Sequence, residues 1–174
     1  IPKAIKLAKH HDVIQTTTFN GAFPAWLAGK ITGKPVVITV HEVWVGKWKE
    51  VTGFGWLKSS IHNFLERCIY SLPFTKYVCV SKATEKDLNK LNINKNKVQT
   101  IHNGFDYDFW NPNNFSEIKD KLQDKFTYFS WGRPGVSKGF EYLLRAIPKI
   151  KQNVPNAVFL LMLGSREKYP EKHS

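Results

Sequence analysis

The sequence predicts an α/β chain built on parallel sheets and divided in two by a linker. Three observations carry this. Short β-branched runs, such as Val36-Val-Ile-Thr-Val40 and Tyr77-Val-Cys-Val80, have the near-continuous apolar character of strands buried on both faces. Segments with apolar residues at helical spacing alternate with them, foremost Trp56–Ser71 and the stretch from Phe140 to Ile150. Between Phe105 and Asp124 the rhythm stops, at Asn111-Pro-Asn-Asn114 and the mixed charges that run from Glu117 to Lys125. Strands alternating with helices imply a mostly parallel sheet, whose ligands gather at the strands' carboxyl ends.

Taken in order, Asp12-Val-Ile-Gln15 reads as a short strand after a basic helical lead. Asn20 to Lys30 forms a helix whose start Pro24 restricts. Pro35 to Val40 is a buried strand, with the polar pair His41-Glu42 at its carboxyl end. Val43 to Gly55, rich in Trp, Lys and Gly, reads as an exposed loop or short amphipathic element. In the helix Trp56–Ser71, the residues Trp56, Leu57, Ile61, Phe64, Leu65, Cys68 and Ile69, with Leu72 just beyond, are expected to face the core. Lys76 to Val80 is the next strand, and Ser81 is placed to cap a helix from Lys82 to about Leu91. Val98 to Ile101 is a strand ended by His102-Asn103-Gly104, where Asn103 and Gly104 suit a turn because both tolerate positive φ.

The expected organisation is therefore residues 1–110, a linker over 111–125, and residues 126–174. Phe126 to Trp131 is a strand, followed by a basic loop and a helix with Phe140, Leu143, Leu144, Ile147 and Ile150 on one face. Pro148 inside that helix is expected to kink it or to remove a hydrogen bond. Ala157 to Leu163 is a further buried strand. Two strands and one helix do not complete a domain, so both parts read as incomplete.

The 174 residues are 42% hydrophobic and 14% aromatic, enough for a packed core and against global disorder. No apolar run reaches the roughly 20 residues of a membrane-spanning helix. The chain begins with Ile and no basic-apolar leader follows, so it reads as an internal fragment with any targeting signal outside it. The net charge of +12 favours anionic surfaces. The only arginines are Arg67, Arg133, Arg145 and Arg166, with no Arg-rich cluster or nucleic-acid motif, and nucleic acid is not an expected partner. Cys68 and Cys79 have no metal-ligand spacing and read as buried free thiols of a reducing compartment. His10 and His11 stand without nearby carboxylates or thiols, so no metal site is expected there.

The chemistry concentrates between Phe126 and Gly164. Arg133 and Lys138 bracket Pro134, Gly135, Val136 and Ser137, and Gly139 opens the following helix. A helix amino end presents unpaired N–H groups and partial positive charge, so anions bind there. Two cations beside it suit a ligand with two negative groups, most simply a diphosphate.

Four pieces in order, VVITVHE at 36–42, YVCVSKAT at 77–84, IHNGFDYDFWNP at 101–112 and GRPGVSKGFEYLL at 132–144, resemble the retaining glycosyltransferases of family 4. The resemblance implies a GT-B fold of two Rossmann-like parallel-sheet domains, both incomplete in this chain. It implies transfer of a sugar from a nucleotide-sugar donor to a glycan or lipid-linked acceptor hydroxyl, with the anomeric configuration retained. Arg133 and Lys138 would then contact the donor diphosphate, Gly132 would let the backbone approach it, and Gly139 would lie at the helix amino end. Pro134 before Gly135 departs from a plain short loop and bears on the pose of Arg133. His41 would face the transferred sugar as the catalytic candidate, and Glu42 would lie near the acceptor. Asn103 and Gly104 would form a hinge and cleft wall, while Phe105, Phe109 and Trp110 would serve packing. Glu66 and Arg67 read as structural. No cofactor or metal is implied, since the two cations and the helix end can stabilise the leaving diphosphate.

The same resemblance places a glycine-rich loop upstream and two glutamates seven residues apart downstream of these residues, so the isolated fragment is expected to be inactive. Trp44, Trp48, Phe54 and Trp56 around Lys47, Lys49 and Lys58 suit a lipid-headgroup interface. The expected location is cytoplasmic, peripheral at the inner face of the membrane. Two alternatives stay open: a non-catalytic module of the same fold that binds anionic surfaces through its basic face, and a glycan phosphorylase, which would need a pyridoxal-binding lysine downstream.

Overall fold

The computed structural model describes residues 1–111, 121–133 and 138–164. It divides into two compact units, Ile1–Glu50 with Phe54–Gly104 and Val51–Gly53 with Phe105–Ser174.

The first unit is a four-stranded, all-parallel sheet in the order β1-β2-β3-β4, with β1 Ile14–Thr17, β2 Val36–Val40, β3 Lys76–Cys79 and β4 Val98–Thr100. Ile14 pairs with Val36, Val37 with Lys76 and Tyr77 with Val98. β1 starts two residues later than Asp12, because pairing begins where Ile14 meets Val36. Strand order equal to chain order requires a crossover after each strand. These are supplied by α2 (Ala22–Thr32), α4 (Trp56–Ser71) and α5 (Lys82–Leu88), while α1 (Pro2–Ala8) leads in and α3 (Trp48–Thr52) precedes α4.

A 3₁₀ turn at Phe19–Gly21 precedes α2, and Pro24 is then the third residue of the helix, where the missing N–H had no intrahelical partner to lose. Gly29 lets α2 lie directly on β2: a methyl group there would collide with Val36 and come within 2.8 Å of the Lys34 carbonyl. Ser81 caps α5 as expected, accepting the Thr84 N–H at 3.1 Å, although the helix ends at Leu88. The core gathers Ile38, Val40, Phe74, Cys79 and Leu88, all fully buried.

α4 has the predicted bounds, and Ile69, with Leu72 just beyond the helix, packs against the core as expected, but most of its apolar residues face outward. Ser59, Glu66 and Tyr70 are its buried residues, whereas Trp56, Leu57, Ile61, Phe64 and Leu65 are each at least half exposed. Cys68 is likewise exposed, which corrects its reading as a buried thiol; Cys79 is buried. The polar face turns inward because Glu66 organises the chain that follows β2. Its Oε1 accepts the Trp44 N–H at 2.9 Å and its Oε2 accepts the Trp48 indole N–H at 2.6 Å. Tyr70 donates to the Glu42 carbonyl at 3.2 Å, and Asn63 accepts the Gly46 N–H. The Val43–Gly55 stretch is therefore only partly a surface loop, with Val43 and Trp48 buried.

The second unit holds β5 (Phe126–Gly132), α6 (Phe140–Asn153) and β6 (Ala157–Leu163). β5 and β6 pair in parallel from Phe126↔Ala157 to Gly132↔Leu163, as a strand–helix–strand crossover requires. α6 runs through Pro148 to Asn153. The carbonyl that Pro148 leaves without a partner belongs to Leu144, which is 52% exposed and open to water, contrary to its expected core position. Phe129, Trp131, Leu160 and Met162 form an exposed apolar face of the two-stranded sheet, with the rings of Phe129 and Trp131 stacked. Phe105 meets Tyr107 and Phe109 meets Trp110 in ring contacts, and Phe105, Phe109 and Trp110 all stay more than half exposed. Most of the expected linker, residues 112–120, lies outside the described residues.

Candidate active site

In the first unit the parallel topology brings the ends of β2, β3 and β4 to one edge. His41 and Glu42 follow β2, Ser81 follows β3, and His102, Asn103 and Gly104 follow β4. The backbone here is fixed tightly. The Val80 N–H donates to the Val40 carbonyl at 3.2 Å, and the Thr84 hydroxyl donates to the His41 carbonyl at 3.2 Å. His102 Nδ1 lies 3.2 Å from the Val80 carbonyl. The His41 and Glu42 side chains are exposed above this scaffold, available to a ligand rather than used in packing. Glu42 also stands close enough to Glu66 for its charge to raise that carboxyl, second to the larger effect of burial.

Asn103 and Gly104 are exposed and lie at the last positions of the first unit. Neither has a positive φ, and the turn expected of them is not formed. The unexpected backbone is at Phe19, whose φ of 67° is unusual for a bulky side chain, at the carboxyl end of β1. Its ring centroid lies 5.9 Å from Trp44 and 5.8 Å from Trp48. Nothing in the local sequence announces that conformation; it follows from aromatic packing between segments distant in the chain. His102 is a second imidazole at this edge, to which the sequence reading gave no role.

In the second unit, Gly132 ends β5 and Gly139 precedes the first residue of α6. Gly132 has φ 145° and Gly139 φ 65°, conformations that a side chain would strain. The aliphatic stem of Lys138 lies over Gly132, where an added methyl group would come within 3.4–3.5 Å of its carbons. Lys138 thus lies along the strand end, is exposed, and precedes Gly139, the residue that caps the amino end of α6. Arg133 is exposed directly after β5. Residues 134–137, including Pro134, lie outside the described residues.

A strand end, two positive-φ glycines and a lysine next to a helix start lie together at the carboxyl edge of a parallel sheet, a kind of place where anions bind in other proteins. The model of Glycosyltransferase Family 4 matches residues 1–109, and the chain belongs to that family. No curated protein matches it in sequence. Among solved structures it is similar to HepE of Anabaena in complex with UDP-glucose, at 18% identity and a TM-score of 0.73 over 99% of this chain and 46% of that one. A glycosyltransferase of Rickettsia africae is similar at 20% identity and TM-score 0.64, covering 98% and 45%. MnaA of S. aureus with UDP is similar at 12% identity and TM-score 0.53, covering 98% and 46%. The fold is that of the GT-B glycosyltransferases, and the chain spans less than half the length of these structures.

Proposed function

We propose that the protein containing this chain is a glycosyltransferase that moves a sugar from a nucleotide-sugar donor to an acceptor hydroxyl with retention of configuration. Membership of the family and the likeness to structures holding UDP or UDP-glucose support the donor class. The observation that carries the reading is the seating of Lys138 over Gly132 at the start of α6. The donor diphosphate binds against Gly132, Arg133, Lys138 and Gly139. As the bond between the anomeric carbon and the diphosphate oxygen breaks, negative charge grows on the leaving group. Arg133, Lys138 and the helix end supply the compensating positive charge, so this reading takes no metal.

On the acceptor side, His41 hydrogen-bonds the transferred sugar from its exposed position after β2, and Glu42 approaches the acceptor. Asn103 and Gly104, the last residues of the first unit, serve as hinge and cleft-wall elements. The acceptor is a glycan or lipid-linked molecule of cell-envelope synthesis, and the enzyme works in the cytoplasm, peripheral at the inner face of the membrane. The test is a panel of nucleotide sugars incubated with the intact protein and envelope lipid acceptors, with the product's anomeric configuration read by NMR. A product with the donor's anomeric configuration supports the reading; hydrolysis alone, or an inverted product, overturns it.

A further inference from the structure

We propose that the outward face of α4 is the surface by which this protein lies on an anionic lipid bilayer. At 3.6 residues per turn, Leu57, Ile61, Phe64, Leu65 and Cys68 fall on one arc of the helix, about half a turn from buried Ser59, Glu66 and Tyr70. The helix is largely inverted: Ser59, Glu66 and Tyr70 are turned inward into hydrogen bonds with the protein, while this apolar arc points to solvent. Glu66 is its one carboxylate, and it is turned inward at 2% exposure, so no acid lies on the outward arc. Cations flank the arc instead. Lys58 stands on one margin with its ammonium 3.9 Å from the centroid of the Phe54 ring, and Arg67 is exposed on the other. Trp56, 73% exposed, sits at the amino end of the helix.

An apolar stripe edged by Trp, Lys and Arg is the pattern of a helix lying in the plane of a membrane interface. The charge selects the occupant. A second copy would bring the cations of one +12 chain against those of another, whereas anionic headgroups neutralise them. The apolar surface also continues beyond the helix, into a groove of about 490 Å³ shared by Phe19 and Phe23 with Leu65 and Ile69. Of the interface first read at Trp44, Trp48, Phe54 and Trp56 around Lys47, Lys49 and Lys58, this keeps Phe54, Trp56 and Lys58 and drops Trp48 and Lys47, because Trp48 is buried and Lys47 is paired with Asp87 at 2.7 Å.

The inference deepens the peripheral placement proposed above, and its test reads vesicle binding apart from sugar transfer, so either can fail without the other. Cys68, exposed on the arc, is a native attachment point, while burial raises the Cys79 thiol to about 11 and keeps it unreactive. The intact protein is labelled at Cys68 with an environment-sensitive fluorophore and mixed with phosphatidylglycerol or phosphatidylcholine vesicles. A blue shift with the anionic vesicles only is expected, with partitioning at least tenfold weaker in Leu57→Asp/Ile61→Asp, whose positions are exposed and do not disturb folding. Failure of the native protein to label at Cys68 means that another part of the protein covers the face, and overturns the proposal. So does labelling without a shift, or binding unchanged in the double variant. A dimer that the variant splits, with no vesicle response, assigns the face to a second copy and overturns it as well.

Discussion

Glu66→Ala removes a side chain to which no catalytic role is assigned, yet it should be among the most damaging single changes in the first unit. The carboxylate accepts two hydrogen bonds, from the Trp44 N–H and the Trp48 indole. Hydrogen bonds to a charged group contribute about 1.5–3 kcal/mol each. Burial opposes them, as the carboxyl's upward shift records, with burial the first cause and the Glu42 charge adding to it. The open groove beside Glu66 lets water partly replace the lost acceptor. Setting these against each other leaves a net loss of about 2 kcal/mol, a large share of a typical domain's stability. Urea unfolding followed by tryptophan fluorescence measures it. The pH dependence gives a second reading. A carboxyl raised above its ordinary value binds its proton more tightly folded than unfolded, so its contribution to stability falls as pH rises from the ordinary carboxylate range through the raised folded value. Glu66→Gln, which keeps one acceptor, should lose less stability and lack that decline. A loss below about 0.5 kcal/mol in Glu66→Ala, or the same decline in Glu66→Gln, would refute the reasoning.

Gly29→Ala gains helix propensity of about 1 kcal/mol but drives a methyl group into Val36 and the Lys34 carbonyl. Overpacking of about 1–3 kcal/mol should win, giving a net loss in thermal unfolding, and a more stable variant would show that α2 moves freely on β2. Ser81→Ala deletes the cap on α5 and should lower stability by about 1 kcal/mol in urea titrations, while Ser81→Asp should restore most of it.

Much of this architecture was legible because the sequence pattern has one cause in each case. β-branched runs such as Val36–Val40 have a single use in a parallel sheet, and Ser81 sits where a helix N-terminus needs an acceptor. The bounds of α4 were legible for the same reason, but its orientation was not. Periodicity identifies an apolar face and assumes that the core takes it; here one glutamate with two donors from the preceding segment fixes the opposite face inward. Those donors lie 18 and 22 residues away, beyond the reach of a periodicity argument. At the candidate site, Gly132, Arg133, Lys138 and Gly139 stand out because they are close in the chain, between the end of β5 and the start of α6. Phe19 was hidden, since its positive φ comes from packing against Trp44 and Trp48 rather than from a turn-forming residue type.

The central claim is that the start of α6 holds a diphosphate, and calorimetric titration of UDP and a UDP-sugar into the intact protein and its Lys138→Ala variant tests it most directly. Lys138 is exposed, so the variant should fold unchanged, and losing a charged hydrogen bond of about 1.5–3 kcal/mol should weaken binding roughly ten- to a hundredfold. Uridine, which lacks the diphosphate, should bind the two proteins alike. Equal UDP affinity in the two proteins would contradict the account.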